Sequence, residues 1–525
     1  MAPVNETISV LTQHNDNNRT GAQLQETLLN TSNVKPGQFG RLFKLPVDGS
    51  VYAQPLYVNA LAIPNQGTRN VLYVATMHNT VYAFDGDDPS IRPYWQVSLG
   101  PSAPLPDTNI GPVTKQGQPD YRDISVEVGI LSTPVISLTH NAIYVVAFTK
   151  KGNSYAYHLH ALDLVTGQEK FGGPVQIKAS VKGTGDSSQN GIVTFVSNRH
   201  NQRPGLLLVN ENVYLAFASY GDARPYHGWL LGYSATTLRQ VAVYNTTPNG
   251  REGGIWQAGQ GPAADADEGG AIYVITGNGT FKPDTSALGD SIIKFRANLT
   301  ILDWFSPFNN ASLDAADEDL GSSGILLIPG TNLAVGGGKE GKLYVFARKH
   351  LGHFQAGSDS QILQSFYVNP RHHIHGSPIY WKGPKGSWIY VWPENDALKA
   401  YQLVGGKFQT TPVSVSTTTA PQNVPGGSLG MPGGMLSVSA NGNTGGIIWS
   451  SHPYNADANQ KVVDGILRAY DASDLTKEIW NSKINASHDD VGKFAKFCPP
   501  TVANGKIYLA TFSGYVAVYG LLPSH

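Results

Sequence analysis

An all-β fold, an eight-bladed β-propeller of four-stranded antiparallel blades, is what this sequence predicts, on three observations. The run from Val71 to Asp85 returns near the other end of the chain as Lys506 to Tyr519. Each copy is two apolar runs around a tight polar turn, the pattern of a β-hairpin. Related hairpins recur throughout the chain, which marks a repeat architecture. Finally, the last repeat stops after its third strand, while Gly40 to Val47 reads as an outer strand without a partner. If that segment completes the last blade, the ring is closed and no blade edge is left exposed.

The units follow in order. Unit one runs from Gln54 to Leu99, and unit two from Ser132 to Gly173, with Lys170 opening its outer strand. Units three to six span Pro204 to Tyr233, Gly261 to Phe295, Gly324 to Phe346 and Gly376 to Tyr401. Unit seven extends from Gly434 to Trp480, and unit eight begins at Pro500. The 525 residues are therefore expected to form a single domain. Residues 1–53 are an N-terminal segment that includes the closing strand, and 54–522 are the blades.

Only 14% of residues are charged, whereas Gly numbers 58 and Pro 33, which suits a compact all-β protein and argues against disorder. The formal net charge of −1 includes no basic tract, so nucleic acid is not an expected partner. No apolar run is long enough to span a membrane. Cys498 is the single cysteine, which rules out an intrachain disulfide and a cysteine-built metal centre. Met1 to Glu6 shows no signal-peptide pattern. Glycosylation sequons occur at Asn5, Asn18, Asn30, Asn245, Asn278, Asn298, Asn310 and Asn485. Together these suggest an extracellular glycoprotein whose signal peptide has been removed; the alternative is a cytoplasmic protein.

In a propeller, the loops that enter the innermost strands share one face with the turns joining second and third strands. His372, His373 and His375 directly precede unit six. His373 and His375 make a His-x-His pair whose side chains point the same way on an extended strand. Such a pair suits a transition metal or a proton shuttle; in the plainer reading one imidazole lines the channel and the others bond in turns. Before unit four, Glu252 offers a base or cation ligand and Trp256 a flat wall for a ring-shaped ligand, or the two form a structural turn. Arg122, Asp123 and Glu127 precede unit two, and the hairpin turns carry His78, Asp222, Lys339 and Glu394. The glycines from Gly336 to Gly341 lack phosphate-loop spacing and a following helix, so they read as a turn. The candidate catalytic residues are His78, Glu252, His373 and His375. The candidate cofactor-binding residues are Arg122, Glu127, Trp256 and Lys339, and the candidate metal ligands are His373 and His375.

Ala161 to Lys170 and Ala469 to Trp480 resemble the Ala-x-Asp-x-x-Thr-Gly-x-x-x-Trp repeat of pyrroloquinoline quinone (PQQ) enzymes, with a weaker echo at Leu231 to Leu238. The resemblance extends over the whole chain as a repeat pattern. It implies PQQ held with Ca²⁺ on the ring axis, and oxidation of an alcohol, sugar or phenolic substrate at the axial mouth. It also implies a Trp beneath the quinone, a Glu/Asn/Asp set around calcium and a catalytic Asp. The family's dehydrogenases close a disulfide of adjacent cysteines against the quinone, whereas Cys498 stands alone here. Cofactor-free binding propellers share the same repeats. The competing expectations are therefore a non-catalytic propeller that binds a glycan or protein, and a cofactor-free or metal-dependent lyase or hydrolase using His372 to His375. A monomer acting on a small molecule or carbohydrate, with neither nucleic acid nor membrane as partner, completes the expectation.

Overall fold

The computed structural model describes residues 8–421 and 430–523; Asn5 and the Met1 to Glu6 segment lie outside them. The recurring phrase forms its hairpin: Gly67–Ala75 pairs antiparallel with Thr80–Asp85, joining Val71 to Asp85 and Ala75 to Val81. Asn79 turns the chain at φ 61°, a left-handed conformation that Asn accepts more readily than most residues. All six residues of Thr80–Asp85 are buried, so both faces of the sheet pack against neighbours.

Eight sheets of this kind make the propeller. Blade one comprises Leu56–Ile63, Gly67–Ala75, Thr80–Asp85 and Trp95–Ser98. The innermost strands of blades two to seven are Val135–Ser137, Leu207–Val209, Ala263–Asp265, Leu326–Ile328, Ile379–Gly383 and Met435–Asn441. Blade eight is Thr501–Ala503, Lys506–Leu509 and Tyr515–Leu521, and its outer strand is Phe39–Pro46, antiparallel to Tyr515–Leu521. One boundary differs from the sequence reading. The outer strand of blade two is Val175–Gln176, because Lys170 to Gly173 is spent on a turn closed by Gly173 N–H and Lys170 O at 3.0 Å.

The repeated Tyr of the phrase latches neighbouring blades. Tyr73 donates its hydroxyl to Leu164 O at 2.8 Å, Tyr144 to Ala235 O at 2.8 Å, Tyr214 to Ala297 O at 2.7 Å and Tyr390 to Ala472 O at 2.8 Å. Each acceptor follows the third strand of the next blade, and Tyr508 of blade eight reaches Gly86 O of blade one at 3.0 Å. The Thr-Gly turn serves the same seam. Trp95 Nε1 donates to Leu164 O at 2.9 Å, and a Cβ on Gly167 would meet the Trp95 ring at 2.7 Å. Tyr144→Phe, at a fully buried latch, is expected to lower unfolding free energy by about 1 kcal/mol without altering the fold, measured by denaturant titration.

The N-terminal segment does more than supply one strand. It runs around the inside of the ring and bonds to the blades in turn. Val10 pairs with Tyr57 of blade one, Leu11 O accepts from Ile136 N of blade two, and Asn17 Nδ2 donates to Leu208 O of blade three. Ala264, Leu327, Tyr380 and Val438 N–H groups then donate to Asn17, Asn18, Thr20 and Gly21 carbonyls, which ties in blades four to seven. Glu26 Oε2 accepts from Gly505 N of blade eight at 2.9 Å. Arg19 is fully buried at the centre of this segment and donates to Thr12 Oγ1, Gln13 O and Pro262 O at 2.7–3.0 Å.

Among the sequons, Asn245, Asn278 and Asn310 are buried in the fold, whereas Asn298 and Asn485 are exposed. No helix of the described residues is long and apolar enough to cross a membrane.

Candidate functional site

A cavity of about 300 Å³ opens where loops from blades two to eight converge, at the small end of ligand pockets. Asp123, Arg203, Trp256, Asp319, His373, His375 and Lys496 enter it from segments that precede innermost strands. Asp222, Lys339 and Glu394 enter from the turns between second and third strands. The cavity walls form three chemically distinct groups.

The first is flat and cationic. Trp256 is almost fully buried and its Nε1 has no hydrogen-bond partner. The Arg203 guanidinium lies 5.5 Å from the Trp256 ring centre and 4.6 Å from that of Phe497. Lys496 is buried beside Phe497, and burial pushes its ammonium down to about 8. Among the described residues, neither Arg203 nor Lys496 is ion-paired, although both line the cavity.

The second group is rich in oxygen. Lys339 Nζ bridges Asp319 Oδ2 at 2.7 Å and Asp317 Oδ1 at 3.1 Å. Burial acts to lower the Lys339 ammonium, but the charges of Asp319 and Asp317 outweigh it and the net shift is upward. Asp319 Oδ1 accepts Asn278 N–H at 2.9 Å. A Cβ on the preceding Gly277 would lie 2.1 Å from that oxygen, so only glycine permits the approach. Asn278 is not itself a lining residue, and its Oδ1 is buried without a partner among the described residues. Asp222 stands at a turn with φ 55°, and burial together with the Asp319 charge pushes its carboxyl up to about 6.

The third group is His373, His375 and Glu394, whose ligand-type atoms all lie within 4.8 Å of one another. His375 Nε2 is 3.0 Å from Glu394 Oε1, and His373 Nδ1 is 3.6 Å from Oε2. Burial pushes His373 down to about 4, His375 down to about 3 and Glu394 up to about 8. The His-x-His run is a loop before Ile379–Gly383 rather than a strand, yet it alternates as a strand would. Ile374 is fully buried among the apolar side chains of blades five and six, while both histidines face the cavity.

Trp256, Lys339, His373 and His375 are thus brought together, and four other candidates are placed elsewhere. Glu252 is buried in ion pairs with Arg224 and Arg251, which consume both its oxygens in a loop clamp. His78 is exposed and pairs with Glu127 at 3.1 Å, and Glu127 also accepts from Ser102. Arg122 is exposed and pairs with Asp120 at 2.7 Å. These polar groups are satisfied by near neighbours outside the cavity. Arg203, Asp319 and Lys496 were not among the candidates. Arg203 and Lys496 signal themselves only as lone cations before innermost strands, and Asp319 sits in an acidic run, Asp314 to Asp319, with no motif.

No family model and no curated protein matches the chain in sequence. Its fold is similar to that of quinohemoprotein alcohol dehydrogenase ADHIIG from Pseudomonas putida HK5, with a TM-score of 0.56 and 14% identity over 99% of this chain and 81% of that one. It is also similar to quinohemoprotein alcohol dehydrogenase from Comamonas testosteroni, with a TM-score of 0.55 and 13% identity over 100% and 83% of the two chains. A europium-containing methanol dehydrogenase gives a TM-score of 0.51 and 15% identity over 99% and 86%. At these identities the likeness is one of fold.

Proposed function

We propose that this chain is an oxidoreductase of the quinoprotein type that oxidises a small alcohol in the axial cavity. The observation that carries the reading is the meeting, in one cavity, of a buried indole wall, two cations without ion-pair partners among the described residues, and the carboxylates of Asp222 and Asp319. These residues fit PQQ, a planar tricarboxylate, and a calcium-class cation. Trp256 supplies the stacking wall and Arg203 with Lys496 the counter-charges. Asp222 would supply a hard oxygen donor from the cavity wall, and a cation beside it would relieve the repulsion between Asp222 and Asp319. Phe497, under Arg203, lies beside the lone Cys498, which is buried with its thiol pushed upward by burial.

When bound, a quinone with its cation supplies a two-electron acceptor beside the substrate. The chain itself holds and deprotonates the alcohol. Asp319 accepts the hydroxyl proton, with Oδ1 fixed by Asn278 N–H and Oδ2 by Lys339. Each oxygen keeps a second lone pair for that role.

Addition of PQQ and Ca²⁺ to purified protein is expected to produce dye-linked oxidation of small primary alcohols; no turnover across an alcohol, sugar and phenol panel would overturn the proposal. The pH dependence has a definite sign. Lys496 carries its charge below about 8 and loses it above, so PQQ affinity is expected to weaken from about pH 7 to 9. Lys496→Arg should remove that decline, as measured by equilibrium dialysis.

A further inference from the structure

We propose that His373, His375 and Glu394 form an open site for one divalent transition ion, chemically separate from the carboxylate of Asp222. Glu394 has no exposed surface, and among the described residues neither of its carboxylate oxygens has a hydrogen-bond partner. His375 Nε2 comes within 3.0 Å, so proximity is present without hydrogen-bond geometry. Buried carboxylates in folded proteins are paired, bonded or metal-bound. Three ligand-type atoms lie within 4.8 Å of one another with no hydrogen bond between them, a geometry that suits the third arrangement.

The donors specify the class of ion. Two imidazole nitrogens and one carboxylate suit zinc or ferrous iron, whereas calcium and magnesium prefer all-oxygen shells. The ring centres are 5.7 Å apart and inclined at 68°, so the two rings do not stack face to face. Glu394 N–H donates to His373 O at 3.1 Å, which ties together the two loops that carry the ligands. Lys339, the nearby cation, is already neutralised by Asp317 and Asp319. All three ligands line the cavity, so three protein ligands leave at least one position open to water or a substrate oxygen, the pattern of a catalytic rather than a structural metal.

The proposal stands apart from the quinone reading and is tested without PQQ or turnover. Chelator-stripped protein is titrated with Co²⁺ near neutral pH, followed by its visible ligand-field spectrum and by metal analysis after dialysis. About one equivalent should bind, be displaced by Zn²⁺ and resist excess Ca²⁺. Glu394→Gln, which preserves shape, and His373→Asn, at a partly exposed position, should each weaken Co²⁺ binding at least about tenfold with an unchanged circular dichroism spectrum. Absence of a Co²⁺ spectrum in the wild-type chain, displacement by Ca²⁺, or equal binding by both folded variants would each overturn the proposal.

Discussion

Asp319→Asn is expected to lower kcat by roughly 10²–10⁴, measured with PQQ and Ca²⁺ at saturation. The substitution keeps an oxygen for Asn278 N–H and so preserves the local turn, but it removes the negative charge and the basicity that take the substrate proton. Lys339 keeps Asp317 as an ion-pair partner, so the fold should be retained. The loss should fall on kcat more than on KM, because proton acceptance acts in the chemical step. A variant that retains activity within a few-fold would remove Asp319 from the proposed chemistry.

Arg19→Met is expected to destabilise the protein by about 3–5 kcal/mol. The substitution keeps much of the side-chain volume and removes a guanidinium that is wholly enclosed and satisfied by Thr12, Gln13 and Pro262. The acceptors it abandons have no route to solvent. Because the same segment bonds to every blade, the loss should appear as a cooperative fall in the thermal midpoint rather than as local fraying. Arg122→Met, at an exposed pair with Asp120, should change stability by less than about 1 kcal/mol and serves as the contrast.

The ring was legible because its physics is periodic. The repeated Tyr recurs since blade seam after blade seam uses the same hydroxyl donor, and the Thr-Gly turn of blade two sets its glycine against an aromatic ring of blade one. Loops were also sorted correctly onto one face, since strand order fixes which turns share an end. The N-terminal segment from Val10 to Glu26 was opaque for the opposite reason. It bonds to the blades largely through backbone groups, which every residue carries, and has no apolar period to read. At the site, Trp256 and the His-x-His run stand out as residue types, whereas Asp319 gains its meaning only from Lys339 and Asn278 folding beside it. Glu252 looked equally chemical in sequence, and two arginines, Arg224 more than twenty positions away, turn it into a clamp.

Titration of the purified chain with PQQ in the presence of Ca²⁺, followed by tryptophan fluorescence and equilibrium dialysis, bears most directly on the axial cavity as a cofactor site. About one equivalent should bind, and Arg203→Ala and Lys496→Ala should each weaken it by roughly 10- to 100-fold, the loss of one charge-assisted contact apiece. Trp256→Ala should weaken it further and remove the quenching. Failure of the wild-type chain to bind PQQ, or binding indifferent to all three substitutions, would contradict the assignment.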